Sequence, residues 1–202
     1  MEKDVGFTVI ELLIVIAIIS IIAAIAVPNL MSANIRAKVS GVKADMGSIA
    51  IALEDYKIDD PYRNYPVEPP SPYGHDEIAV SGQAFDDPSD AVGLGKLVYP
   101  LDASEPTYLK RIAGDPFNDS GEEEWNGTSG AHNNHYCYFT ADADQESSST
   151  EAKYWALVSY GPDKDLDITN YSQAKAAVDS GTNLYDPDNG ITSSGDIVII
   201  GP

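Results

Sequence analysis

Apolar and polar residues follow three different patterns along this chain, and each pattern predicts a different element. From Phe7 to Val27 the chain is almost wholly apolar, interrupted only by Thr8, Glu11 and Ser20. Those 21 residues form a helix about long enough to cross a hydrocarbon core at roughly 1.5 Å per residue. After Pro28, Leu30, Met31, Ile35, Val39, Val42, Met46, Ile49, Leu53 and Tyr56 recur at threes and fours. That is an amphipathic helical stripe, expected to pack on the rest of the protein. It stops at Asp59-Asp60-Pro61, where proline forbids continuation. Residues 8–58 as one helix extend about 77 Å, a rod too long to be buried by the chain that follows. Its first half needs lipid or neighbouring rods. Pro28 removes one backbone hydrogen bond, so a kink or local melting is expected there, with Gly41 as a second soft point.

Beyond position 60 the pattern changes to short runs between turn formers, which predicts an α+β domain. Pro and Gly crowd residues 61–100, read as loop with a short helix near Asp90–Val98. Leu109–Ile112 and Asp115-Pro116-Phe117 read as a packed turn. Aromatic or β-branched runs predict strands at His135–Thr140, Tyr154–Tyr160 and Asp196–Ile200, with polar stretches at Asp119–Asn134 and Ala141–Glu151. A short helix is expected at Tyr171–Asp179. A three- or four-stranded antiparallel sheet on the distal half of the long helix would bury both apolar faces. The boundaries are a transmembrane helix at 7–28 preceded by residues 1–6, its amphipathic half at 29–60 and an acidic globular domain at 61–202.

The apolar segment has a competing reading as a removed signal peptide. Met1–Gly6 carries Glu2, Lys3 and Asp4 rather than a basic region, and no small-residue cleavage site follows Val27. A retained helix is the expectation. Glu11 is then the anomaly, because a carboxylate inside an apolar helix is costly and needs a partner. The alternative is a helix that starts near Glu11, with the acid favoured in its first turn by the helix dipole.

Charge narrows the function. The formal net charge is -20, with 32 acidic and 12 basic groups, and most of the excess lies after residue 60. A phosphate backbone needs a basic face, so nucleic acid is not an expected partner. Cys137 is the one cysteine, which excludes an intrachain disulfide and a Cys-based zinc site. It is expected as a small buried hydrophobe.

Gly6-Phe7-Thr8-Val9-Ile10-Glu11-Leu12-Leu13, an apolar helix and Pro28 together resemble the processing and assembly signal of type IV pilins and type II secretion pseudopilins. The match covers residues 1 to about 58. The resemblance implies that a prepilin peptidase cuts after Gly6 and that Phe7 becomes an N-methylated N-terminus. It implies too that Glu11 is kept for assembly and that the helix becomes the core of a filament. The leader departs from the pattern in having Asp4 and Val5 before the glycine. Asp115-Pro116-Phe117-Asn118, Tyr136–Tyr138 and Trp155–Asp163 resemble the order in the major pseudopilin. Phe117 replaces a tryptophan, Lys164 stands where glycine is common, and the insertions at 71–104 and 119–134 and the tail from 169 mark a divergent member. A cut before Phe7 creates a cationic amine, and Glu11 lies about 6 Å further along the axis. Two parallel helices offset axially can pair the amine of one with Glu11 of the other, which compensates a buried charge and fixes register.

Acidic residues form the remaining constellation. Asp163, Asp165 and Asp167 alternate in a loop after a strand; Asp186 and Asp188 precede Gly190, and Asp196 follows. Hard oxygens at alternating loop positions suit Ca²⁺. The loop is not an EF-hand, having Ile168 and Ala174 at the sixth and twelfth positions. A solvated acidic turn is the alternative. The resemblance implies a calcium site in this region and carries over Asp163 and Asp165; the other four rest on spacing. His132 and His135 sit in a polar loop. Asn126-Gly127-Thr128 and Asn170-Tyr171-Ser172 fit a short glycosylation pattern. No phosphate-binding loop or nucleophile elbow occurs, which argues against an ATPase and a hydrolase.

The expected function is a non-enzymatic subunit of a membrane-assembled helical filament, the pseudopilus of a type II secretion system. The resemblance implies a homopolymer, with a prepilin peptidase, an inner-membrane assembly platform and minor pseudopilins as partners. It implies residence in the bacterial inner membrane before assembly and a periplasmic or surface filament after it. A surface type IV pilus and a membrane-tethered adhesin are the alternatives.

Overall fold

The computed structural model describes residues 7–67, 93–98, 106–118, 136–145, 151–189 and 193–202. Its main element is helix α1, Val9–Asp59, 51 residues long. Thr8 caps it: Glu11 N donates to Thr8 Oγ1, and Thr8 N donates to Glu11 Oε2. This reciprocal pair satisfies two of the donors that a helix start leaves without partners. At the other end Asp60 is extended, as the residue before a proline must be. Its carboxylate accepts from Tyr62 N and Asn64 N and turns the chain back.

The helix is unbroken through Pro28, so the local melting expected there does not occur. Proline deletes one donor of a long ladder, and the turns on either side stay hydrogen-bonded. Ser32 Oγ donates back to the Pro28 carbonyl at 3.1 Å. Gly41 is helical and a Cβ there would meet nothing within 4 Å, so no close approach requires the glycine.

Three strands form one antiparallel sheet in the order β1-β2-β3: β1 Cys137–Ala141, β2 Tyr154–Ser159 and β3 Ile197–Gly201. Phe139 lies opposite Ala156, and Leu157 opposite Ile199. Each strand matches its expected position to within one or two residues, and among the described residues there is no fourth. Helix α2, Tyr171–Ser180, is capped by Asn170, whose side chain accepts from Gln173 N, and ends at Gly181 with φ 72°. A short 3-10 turn occupies Gly93–Leu97, inside the span expected to be helical; residues 90–92 lie outside the described residues.

The sheet is covered on both faces. Tyr138, Trp155, Leu157 and Ile197 pack with Val42, Met46 and Leu53 of α1. Cys137, Phe139, Ala156 and Val158 pack with Tyr171, Ala174 and Ala177 of α2 and with Ile168. Alternation along β1 and β2 therefore selects which helix a side chain meets rather than core or solvent, as in sheets covered on both sides. Cys137 is buried in this second core, as expected.

Polar side chains tie the layers together at defined points. Tyr136 OH donates to Asp45 Oδ2, and Tyr138 OH donates to the Pro66 carbonyl. Tyr65 OH donates to Glu54 while Lys57 Nζ donates to Tyr65 OH. Residues 106–118 run beside α1: Tyr108 OH donates to Asp59 Oδ2 near the helix end, and Lys38 lies 5.8 Å over the Phe117 ring about 20 residues back.

Candidate assembly and ion-binding sites

Two candidate sites lie far apart on this frame. The first is the start of α1. Gly6 lies outside the described residues. Phe7 is 75% exposed, and Glu11 falls in the first helical turn. The helix starts two residues before Glu11, so the first-turn alternative describes the subunit and the carboxylate is not isolated within the helix. Glu11 Oε2 accepts from Thr8 N at 2.9 Å and from Thr8 Oγ1 at 2.7 Å. Thr8 was not singled out from the sequence, although Thr8-Val9-Ile10-Glu11 fits a capping-box spacing. From Phe7 to Met31 every side chain is exposed, and the membrane-length window has none of its residues buried. Pro28 lies near the end of that surface. Among the described residues none covers this half of α1.

The second candidate is the pair of loops that follow β2 and precede β3. They meet backbone to backbone: Gly161 has φ 71°, and a Cβ there would run into the Gly195 carbonyl oxygen. Gly195 has φ 108°, and its Cβ would sit 2.6 Å from the Leu184 carbonyl carbon. Gly195 N donates to Asp163 Oδ2 at 3.0 Å. Asp196 is fully buried; its Oδ2 accepts from Asp167 N at 3.0 Å and Ile168 N at 2.8 Å. Asp196 N donates to the Asn183 carbonyl, and its own carbonyl accepts from Tyr185 N. One aspartate thus joins three segments.

Asp163 Oδ1 and Asp196 Oδ1 are both buried without a hydrogen-bond partner, which is uncommon for buried acceptors. Burial pushes the Asp196 carboxyl up to about 7, with the charges of Asp167 and Asp163 adding to the rise against the lowering by two backbone donors. The other expected ligands are elsewhere. Asp165 is exposed and accepts from Leu166 N. Asp167 is exposed and reaches Asp196 through its backbone. Asp186 accepts from Asp188 N, and both are exposed. Among the described residues no three His, Cys, Asp or Glu side chains converge as a metal site would need. The six aspartates therefore do not form one cluster: Asp163 and Asp167 are near enough to raise the Asp196 carboxyl, and of these Asp163 and Asp196 each keep a buried oxygen without a hydrogen-bond partner. Two carboxylates supply the hard, anionic part of a Ca²⁺ site, and carbonyl oxygens and water commonly complete one. His132, His135 and Asn126 lie outside the described residues, and the Asn170 side chain is engaged as the α2 cap.

Asp115 was missed as a site-supporting residue. It is 2% exposed; Oδ1 accepts from Phe117 N and Oδ2 from Tyr160 N, both at 3.0 Å. Burial raises its carboxyl above the ordinary range, opposed by these donors. It anchors the chain at the point where β2 passes into the first aspartate loop. The Asp115-Pro116-Phe117 turn was visible in the sequence, but its reach to Tyr160 was not.

A long helix, apolar and exposed in its first half and packed on a small antiparallel sheet in its second, defines a pilin-like protein. The comparisons agree. The chain is 29% identical over 173 residues to type II secretion system core protein G of Pseudomonas aeruginosa, covering 82% of this chain and 94% of that protein. It is 26% identical to the Escherichia coli protein of the same name, covering 86% and 95%. The type IV wide pilus major component PilA4 of Thermus thermophilus is 49% identical over 59 residues, 29% of this chain and 45% of that protein. No family model and no solved structure matches. The chain is thus similar over most of its length to major pseudopilins and over its N-terminal segment to type IV pilins.

Proposed function

We propose that this chain is the structural subunit of a membrane-assembled helical filament, the pseudopilus of a type II secretion system. One observation carries the reading. Half of a 51-residue helix is apolar and exposed while the other half is buried against its own domain. Such a helix needs a second apolar environment. Similarity to core protein G over most of both chains supports the pseudopilus in particular. The shorter, higher similarity to the wide-pilus component favours a surface type IV pilus as the second reading.

In this reading a prepilin peptidase cuts after Gly6, and the subunit waits in the bacterial inner membrane with Phe7 at its N-terminus. An assembly platform then draws it out, minor pseudopilins accompany it, and the filament extends into the periplasm. Exchange of lipid for neighbouring helices is nearly neutral hydrophobically, so packing and polar pairing direct it. Glu11 exchanges its Thr8 contacts for the Phe7 amine of a neighbour. The role is structural rather than catalytic. Calcium, held by Asp163 and Asp196, locks loops 161–168 and 193–196 against each other. Electron microscopy of filaments sheared from cells, with N-terminal sequencing, tests the reading. Filaments whose subunits begin at Phe7 support it; subunits that begin near Asn29 or stay solitary without lipid or detergent reject it.

A further inference from the structure

Charge along α1 is sorted sharply. Residues 12–44 contain Arg36, Lys38 and Lys43 and no Asp or Glu, whereas the rest of the chain holds all 32 acidic groups and 9 basic ones. All three cations are exposed, and among the described residues none has an ion-pair partner. The opposite end of the helix carries Glu54, Asp55 and Asp59, with Lys57 between them. Helix α1 is therefore cationic beside its apolar segment and predominantly anionic at its far end.

The cations also lie at a particular height. The packing of α1 on its domain begins at Ile35 and Val39, so Arg36 and Lys38 sit at the edge of the domain that faces the apolar segment. Arg36 is eight residues beyond Pro28, about 12 Å along the axis. Helical side chains lean toward the helix N-terminus, and a long cationic side chain can extend back along an apolar surface to reach polar surroundings. The headgroup layer is about 5–7 Å thick on each side of a bilayer. That reach brings the Arg36 guanidinium to the phosphate layer, and Lys38, whose ammonium lies over the Phe117 ring in the subunit, reaches the outer edge of that layer by swinging back along α1. Lys43, about 22 Å along, feels the surface most weakly.

We propose that Arg36, Lys38 and Lys43 form a juxtamembrane site for anionic phospholipid headgroups, engaged while the subunit resides in the bilayer. The site offsets the repulsion between an anionic membrane surface and a domain rich in carboxylates. It rests on the membrane reading of Phe7–Val27. A second copy's acidic face is the rival occupant; the location of the cations next to the apolar segment favours lipid. The headgroups concerned are those of the leaflet that faces the domain.

The test is the selectivity for lipids in direct contact with the full chain in bilayers that contain spin-labelled phosphatidylglycerol or phosphatidylcholine. The wild type should prefer phosphatidylglycerol, by up to about fivefold for each cation at the surface, and the preference should shrink in about 0.5 M salt. The R36Q/K38Q/K43Q variant should show equal association of both lipids. Glutamine has similar helix propensity, and an unchanged circular dichroism melt would show that the fold is intact. A chain that never enters the bilayer overturns the membrane reading and this proposal with it. A bilayer-inserted wild type without selectivity, or a variant that keeps it, overturns the proposal alone. Loss of cross-linking between copies in the variant, with lipid selectivity unchanged, assigns the cations to a neighbouring subunit and also overturns it.

Discussion

The two halves of α1 belong to one uninterrupted helix and differ in where their apolar surface goes. Val39, Val42, Met46, Ile49, Ala52 and Leu53 are buried against a sheet supplied by the same chain. Ile10, Leu13, Ile18, Ile22 and Ile25 are at least half exposed. The distal half shows the amphipathic periodicity of a surface helix. The proximal half is apolar all round, as befits a segment surrounded by lipid or by other helices. The difference teaches that local helix formation and tertiary stability are separate problems here. The capping box and aliphatic composition support the first, whereas the environment of the proximal half lies outside the subunit.

Mutations should therefore separate the halves. Glu11→Ala is expected to have the largest effect, abolishing filaments while the processed protein stays in the membrane. Normal filaments from this variant, seen by electron microscopy of sheared material, would refute the pairing of Glu11 with the Phe7 amine. Its thermal melt in detergent should match that of the wild type, because the distal core is untouched. Leu53→Ala should do the reverse, destabilising the domain by about 2–5 kcal/mol through the cavity left between α1 and the sheet. Chemical denaturation would measure this, and a loss below about 1 kcal/mol would contradict the packing described. Removal of calcium with EDTA should lower the melting temperature by several degrees, and Asp196→Asn should remove the dependence on the ion; a melt unchanged by EDTA rejects the calcium site. The smallest effect belongs to Gly41→Ala, which should stabilise the domain by about 0.5–1 kcal/mol, since the site is helical with open space around it. A lower melting temperature would show that the glycine serves a contact absent from the single subunit.

Much of this architecture is legible from residue order alone. Strands at Tyr154 and Ile197 announce themselves through aromatic and β-branched runs, and the Asp60-Pro61 stop is a local steric event. The placement of α2 as a second layer is not, because neighbouring residues do not reveal which face of a fully apolar strand meets which helix. The aspartates divide in the same way. Asp163 and Asp165 look alike in the sequence, yet one reaches Gly195 N across 32 positions and the other only its neighbour Leu166. Asp196 stands out through its burial, which depends on chain packed from three segments. The Thr8 cap is the opposite case: its spacing from Glu11 is sufficient to suggest it.

The contact between Gly161 and Gly195 has a consequence for descent. Gly161 cannot gain a side chain unless the backbone at Gly195 takes a new path, and Gly195 cannot gain one unless the backbone at Asn183 and Leu184 does, so each glycine is held by a different neighbouring segment. Sister sequences that keep both should keep the same loop crossing, a sister that has lost Gly161 should show compensating changes near 195, and one that has lost Gly195 should show them near 183–184.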